Sequence, residues 1–584
     1  GTDTLEHLQN SIEVSALTDL LIAEFPASNQ LSWQKAATLY QSCMSFASSY
    51  RTEKSDLVNW MRSLNLDLLD RHTLATVNPV EMMVRGSLDL GVEAVISLTF
   101  HGRAFVLGKR LMEMDYSKQQ SMWRSENHGL NDYVLFLAEF GATSYSAYDL
   151  ASKLRGYENQ LDDISRATYT SEQTTEFVFE LSKRTSPYVS KDDWDTFLYK
   201  YTNNTYTVDD NIFYRPYLAT MIVKLFESTH VGKEGLQYLV AWTFYRQLFE
   251  LTDPTWFLRG RSANDACYEH VKKVLKLAIT SHHFQSVVTP RMLYQTKRMT
   301  SRIRSSFEEA LQSSSWLTPE IRATSINKLI NITVYTGSPG RRLDPDYVEE
   351  LYKSFPDVPL DRLFPTWIRY LSLSTHLAWR DQKTMLYDET MVNAFFSPIE
   401  DAVFITTAIM HRPFLYLYGP IGLNYGGLGT VIGHEIMHAF DVRSTNRDFW
   451  KVNNFTDEYT KRALCLRRSH RSVLSINQAN ELDDTTDSEN LADLVGTMIA
   501  YAAYSSLPEN HESETLVGFN ATSEQLFFIN HCLKLCAQRS PNFRLYAPFR
   551  SRCIVPLMNM PEFSRVFSCA AGTPMNPQNK CKFW

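Results

Sequence analysis

The stretch Val431-Ile432-Gly433-His434-Glu435-Ile436-Met437-His438-Ala439-Phe440-Asp441 carries His-Glu-x-x-His inside an apolar run. Leu428, Val431, Ile432, Ile436 and Phe440 recur at intervals of three or four, which predicts a helix with one buried face. His434 and His438 then share a face about one turn apart, close enough to converge on one Zn²⁺. Glu435 leaves the helix at a different angle and can reach a water beside the metal, which is where a general base must stand. A surface helix with two solvated histidines would show the same five residues. The apolar neighbours disfavour it, because unpaired imidazoles beside a buried face go unsatisfied.

A catalytic zinc needs a third protein ligand and an open position for water. Asp487-Ser488-Glu489-Asn490-Leu491-Ala492-Asp493-Leu494-Val495-Gly496 offers one. Asp487 or Ser488 can cap a helix start, and Glu489 and Asp493 lie four apart on one face. Glu489 is the expected ligand. Asp493 is expected to accept the other ring N–H of a zinc histidine, fixing its tautomer. Taken alone, the pair reads as a solvated acidic face; beside the first helix it reads as a ligand and its partner.

Working outward, residues 5–355 read as helix after helix: Trp33–Phe46, Asp149–Ile164, Lys233–Leu251, Ala263–Thr280, Met299–Gln312 and Pro319–Leu329 all carry three-and-four spacing. His282 and His283 read as ordinary packed or surface residues. A break at Phe355-Pro356-Asp357-Val358-Pro359, echoed at Phe364-Pro365, places a boundary there, with a helical domain over 1–355 and a metal-bearing domain over 356–584. Thr390–Phe396 and Asp401–Thr406 read as two short strands about Ser397-Pro398. An exposed strand edge can take an extended peptide, and Asn393 would add a donor and an acceptor; an ordinary edge strand reads equally well.

At 584 residues the chain exceeds one hydrophobic core, and 44% hydrophobic residues suffice for two. A net charge of −7 leaves no electrostatic footprint for nucleic acid. No run of 18 apolar residues and no signal-peptide pattern is present, so the chain is expected to be soluble, or a mature or trimmed ectodomain. Eight cysteines without Cys-x-x-Cys spacing indicate disulfides or free thiols. Together with Asn-x-Ser/Thr acceptors at Asn203, Asn331, Asn454 and Asn520, they favour an extracellular or secretory compartment.

Val392-Asn393-Ala394-Phe395, Asn424-Tyr425-Gly426-Gly427-Leu428-Gly429 through Glu435, Glu489-Asn490-Leu491-Ala492-Asp493, Gly572-Thr573-Pro574-Met575-Asn576-Pro577 and the closing Cys581-Lys582-Phe583-Trp584 resemble the neprilysin and endothelin-converting-enzyme family of zinc metallopeptidases. The resemblance implies a mainly α, two-lobed fold, with a large helical N-terminal lobe closing over a thermolysin-like α+β zinc-peptidase lobe that holds a small sheet. It implies one Zn²⁺ per chain on His434, His438 and Glu489, with Glu435 activating the water and Asp493 orienting His434. Asn393 and the Ala394 backbone would grip the peptide main chain, and Arg552 would bind a substrate carbonyl. Ile409, Phe414 and Val431 would line the pocket for the side chain just after the scissile bond.

The resemblance also pairs Cys43 with Cys267 and Cys465 with Cys581. Cys532 and Cys553 look additional and could pair with each other; Cys536 and Cys569 match cysteines whose partners lie in an opening segment with no counterpart here. A membrane anchor is expected only outside this chain, so secreted protein and type II ectodomain both stay open, as does the oligomeric state.

Two departures bear on chemistry. Tyr546 stands where the family has a histidine that donates to the developing oxyanion; a phenol can donate but carries no positive charge. Leu535, preceded by Lys534, replaces a large aromatic, which makes the specificity pocket wider or differently charged. The expected function is a zinc endopeptidase acting on short hormone- or neuropeptide-like oligopeptides before hydrophobic residues. The rival is a zinc-retaining, catalytically weak peptide binder, against which stands the complete set of two histidines, base, third ligand and partner carboxylate.

Overall fold

The structure is a computed structural model that describes residues 3–24, 26–101, 104–109, 130–338, 340–380, 388–398, 400–442, 455–474, 486–508, 514–537 and 546–584. The chain forms two compact, mainly helical units, each built from separated segments. Unit 1 comprises Gly1–Thr18, His282–Leu343 and Tyr387–Trp584; unit 2 comprises Asp19–Ser281 and Asp344–Leu386.

This differs from the single cut expected between 355 and 356. The prolines there lie between the helices Pro345–Leu351 and Phe364–Arg380, both in unit 2. The Tyr370 hydroxyl donates to the Pro356 carbonyl and ties that turn into the unit. Proline here marks a connection inside a unit; the crossings at 18/19, 281/282 and 386/387 have no proline beside them, while Pro339-Gly340 and Pro345 flank the crossing at 343/344.

Unit 2 is organised on the helix Gly232–Phe249, whose Leu236, Leu239, Trp242, Phe244 and Tyr245 are buried. The disulfide Cys43–Cys267 joins the helix Ser32–Ala47 to the helix Ala263–Val287. A four-stranded sheet that the helical reading missed also lies here: β1 Ile96–His101, β2 Ala104–Lys109, β3 Thr174–Phe177 and β4 Asn211–Tyr214, in the order β1-β2-β4-β3. Leu98, Phe100, Phe105 and Leu107 are buried at every second position, the period of a strand rather than a helix.

Unit 1 carries the metal motif. The six helices named from sequence all form, and the helix Pro290–Ser313, longer than expected, packs in this unit against the helix Thr486–Ser505. Its sheet has the order β5-β7-β6, with β5 Thr333–Thr336 unforeseen, β6 Ala394–Ser397 and β7 Ala402–Ile405. β6 runs antiparallel to the buried β7 and forms an edge. The disulfides Cys465–Cys581 and Cys532–Cys553 both form, while Cys536 and Cys569 are free thiols. Asn203, Asn331 and Asn520 are exposed, whereas Asn454 lies outside the described residues.

Candidate metal centre

The metal motif sits on a continuous helical run: Ile421–Asn424, a π-helical segment Tyr425–Gly429, the helix Thr430–Met437 and a 3₁₀ turn His438–Phe440. A π segment re-phases the residues beyond it and recurs at functional sites. Here its small residues admit the neighbouring helix Ser523–Leu533; a Cβ on Gly426 would lie 2.0 Å from the Phe527 carbonyl oxygen. The helix Thr486–Ser505 crosses the motif helix closely, which carries Glu489 and Asp493 to the histidines. That helix begins at Thr486, so Asp487 and Ser488 lie in its first turn, where Asp487 accepts from Arg467 Nε at 3.1 Å.

His434 Nε2 and His438 Nε2 face each other at 3.1 Å. Glu489 Oε2 lies 3.2 Å from the first and 3.6 Å from the second. Nitrogens about 2.0–2.1 Å from a tetrahedral zinc stand about 3.3 Å from one another, so the three atoms form a triangle of the right size. Each outer ring nitrogen meets a carboxylate: His434 Nδ1 lies 2.9 Å from Asp493 Oδ1, and His438 Nδ1 lies 2.8 Å from Asp441 Oδ2. A carboxylate only accepts, so both protons sit on Nδ1 and both Nε2 lone pairs point inward. This donor set fits zinc.

Burial penalises a charged His434, yet its hydrogen bonds to Asp493 and Glu489 outweigh that and lift its pKa to about 10. Such a proton must leave when a cation binds. Burial would raise Asp493, but the Arg552 guanidinium and the His434 N–H hold it well below the usual carboxylate range. Arg552 donates to Asp493 from Nε at 2.7 Å and from a terminal nitrogen at 2.9 Å, and lies 4.6 Å over the Tyr546 ring. Glu435 is buried; desolvation raises its carboxyl against the pull of both histidines, and the Phe396 backbone on β6 bonds to it.

One cavity of about 720 Å³ is lined by Asn393, Ala394, Ile409, Phe414, Val431, His434, Glu435, His438, Glu489, Asp493, Tyr546 and Arg552. Every residue expected to bind metal, substrate or proton therefore meets the same space. Asn393 is exposed, with its side-chain oxygen accepting from the Ala394 N–H at 2.9 Å. Residues 393–583 match the model of peptidase family M13, and residues 1–339 match that of its N-terminal part.

The chain belongs to peptidase family M13.

It is similar to endothelin-converting enzyme 1 of Mus musculus, 32% identical over 305 residues, which cover 48% of this chain and 39% of that enzyme. It is also similar to Neprilysin-1 of Trittame loki, 28% identical over 346 residues, 54% of this chain and 48% of the relative. The chain thus spans about two fifths to a half of the length of these curated relatives. Two solved structures share the fold. PepO from Lactobacillus rhamnosis has a TM-score of 0.68 at 17% identity, covering 99% of this chain and 94% of that one. The zinc metalloprotease Zmp1 of Mycobacterium tuberculosis has 0.67 at 18%, covering 100% and 93%.

Sequence reasoning within this M13 chain missed Asp441, although it stands three residues after His438, one helical turn on. It also did not bring the helix Thr4–Leu21 to the site, where its Leu5, Glu6 and Gln9 line the cavity. Gln9 Oε1 accepts from the Val392 N–H at 2.8 Å, across a separation that no local pattern signals.

Proposed function

We propose that this chain is a zinc-dependent endopeptidase of short oligopeptides. The convergence of His434 Nε2, His438 Nε2 and Glu489 Oε2 beside a buried Glu435, in an accessible cavity, carries this reading. His434, His438 and Glu489 hold the metal, while Asp493 and Asp441 fix the imidazole tautomers. Zinc held there supplies Lewis acidity and a water acidic enough to ionise near neutral pH.

Glu435 takes the proton of the attacking water and passes it to the leaving amine. Asn393, the Ala394 backbone on the β6 edge and Arg552 hold the peptide main chain, which fixes the scissile carbonyl against the base. Tyr546 donates its hydroxyl proton to the oxygen that becomes negative in the tetrahedral adduct. Ile409, Phe414 and Val431 give the pocket after the scissile bond apolar walls, which supports cleavage before a residue with a hydrocarbon side chain. We propose further that unit 2 limits substrates to short peptides, which peptides of graded length test.

The disulfides and the exposed Asn203, Asn331 and Asn520 support an extracellular setting. No described helix is long and apolar enough to cross a membrane. Tyr546 favours the second reading, a zinc-retaining peptide binder with weak catalysis, because burial pushes its phenol up to about 12. Incubating purified protein with a peptide library, with and without a chelator, decides between them. Chelator-sensitive cleavage is expected; binding without cleavage in either arm would leave only the binder.

A further inference from the structure

Lys534 lies just past the helix Ser523–Leu533, buried to 8% exposure, and lines the cavity. Its ammonium donates to the Thr430 hydroxyl, one residue before Val431, and it has no carboxylate partner among the described residues. The charges that act on it, Asp493 and Arg552, are already paired with each other. Asn530, one turn earlier, donates to the Pro413 carbonyl at 2.8 Å, which seats this helix end against the Phe414 wall.

A buried ammonium with one neutral partner is costly, and the cost is relieved when an anion arrives. Burial, with the nearby Arg552 charge, draws Lys534 down to about 7 against the pull of Asp493, and an arriving carboxylate favours the charged form. His531 does not compete as a cation, since burial keeps it at about 3.

We infer that Lys534 lets the pocket after the scissile bond take an acidic side chain as well as an apolar one, in preference to the acid's neutral isostere, its aliphatic stem against Ile409, Phe414 and Val431 and its carboxylate on the Lys534 ammonium. This rests on the endopeptidase reading. Glutamate fits better than its neutral isostere glutamine because only the carboxylate completes the charge pair.

The test uses the full chain with zinc and three peptides that differ only after the scissile bond, carrying Glu, Gln or Leu. Wild type should turn over the Glu peptide at least about tenfold better in kcat/KM than the Gln peptide. Lys534→Met, a near-isosteric change in an apolar site, should bring that ratio close to one while Leu turnover persists. Affinities of the same peptides for Glu435→Gln, whose turnover is suppressed, should show the same Glu-over-Gln preference by fluorescence anisotropy. A wild-type ratio of one or less, or a ratio that Lys534→Met leaves unchanged, overturns the inference. Failure of all three peptides to be cleaved would instead strike the peptidase reading, and the anisotropy contrast would still decide for or against Lys534.

Discussion

Gly433 and Gly496 meet backbone to backbone, where a Cβ on Gly433 would lie 2.6 Å from the Gly496 carbonyl oxygen and a Cβ on Gly496 would lie 2.4 Å from the His434 nitrogen. This contact sets how near Glu489 and Asp493 come to His434. Gly→Ala inside a helix ordinarily stabilises by up to about 1 kcal/mol. Here Gly496→Ala should destabilise by about 1–3 kcal/mol and lower the zinc content together with the melting temperature. A variant as stable and as zinc-loaded as wild type would show that the crossing is looser than the distances indicate.

Glu435→Gln keeps the shape of the side chain and removes its basicity. Zinc stoichiometry should stay at the wild-type level while peptide turnover falls by about 10²–10⁴. Equal turnover by the two proteins would remove Glu435 from proton transfer.

Asp441→Ala should weaken zinc affinity about 10–100-fold, measured by competition with a chromophoric chelator, because His438 Nδ1 loses its carboxylate. Asp493→Asn should weaken it as well and also release Arg552, so peptide KM should rise in that variant alone. Unchanged zinc affinity in Asp441→Ala would make its contact with His438 ornamental to the metal.

Tyr546→Phe removes one hydroxyl beside the cavity and keeps the ring under Arg552. Turnover should fall by at least about tenfold, toward the 10²–10³ typical of a lost oxyanion donor, with peptide affinity little changed. An unaltered kcat would mean that Tyr546 does not stand in for a histidine.

His531 links pH to stability. Its pKa is about 3 in the fold, drawn down by burial, against 6.5 as the ordinary value. As pH falls below 6.5 the unfolded chain binds this proton first, so the stabilisation is full above 6.5 and drains away towards pH 3. The loss is about 1.4 kcal/mol per pH unit in that window. Urea midpoints of chelated protein should fall more steeply below pH 6.5 for wild type than for His531→Gln; parallel profiles would rule the linkage out.

The local half of the site was legible in the sequence. His434, Glu435 and His438 announce themselves because four-residue spacing is a property of one helix, and the apolar residues between them specify its buried face. Glu489 and Asp493 follow the same rule on a second helix. What escaped was long-range or of short period. β1 and β2 alternate over only a few residues among long helices, and Gln9 reaches Val392 from the far end of the chain. The domain boundary was misplaced because proline reports a local turn, whereas the crossings at 18/19, 281/282, 343/344 and 386/387 are set by which distant segments share a core.

The interleaving of the two units has a consequence for synthesis on the ribosome. Unit 2 has all its residues once translation passes Leu386. Unit 1 must hold its segments up to Leu343 in waiting until the segment from Tyr387 onward emerges, because Phe583 is buried in its core and Trp584 packs against it beside Trp316. A chain released after Leu386 therefore carries unit 2 complete together with the unit 1 segments up to Leu343, but lacks β6, β7 and the histidines of the metal motif, a product for quality control rather than a partial enzyme.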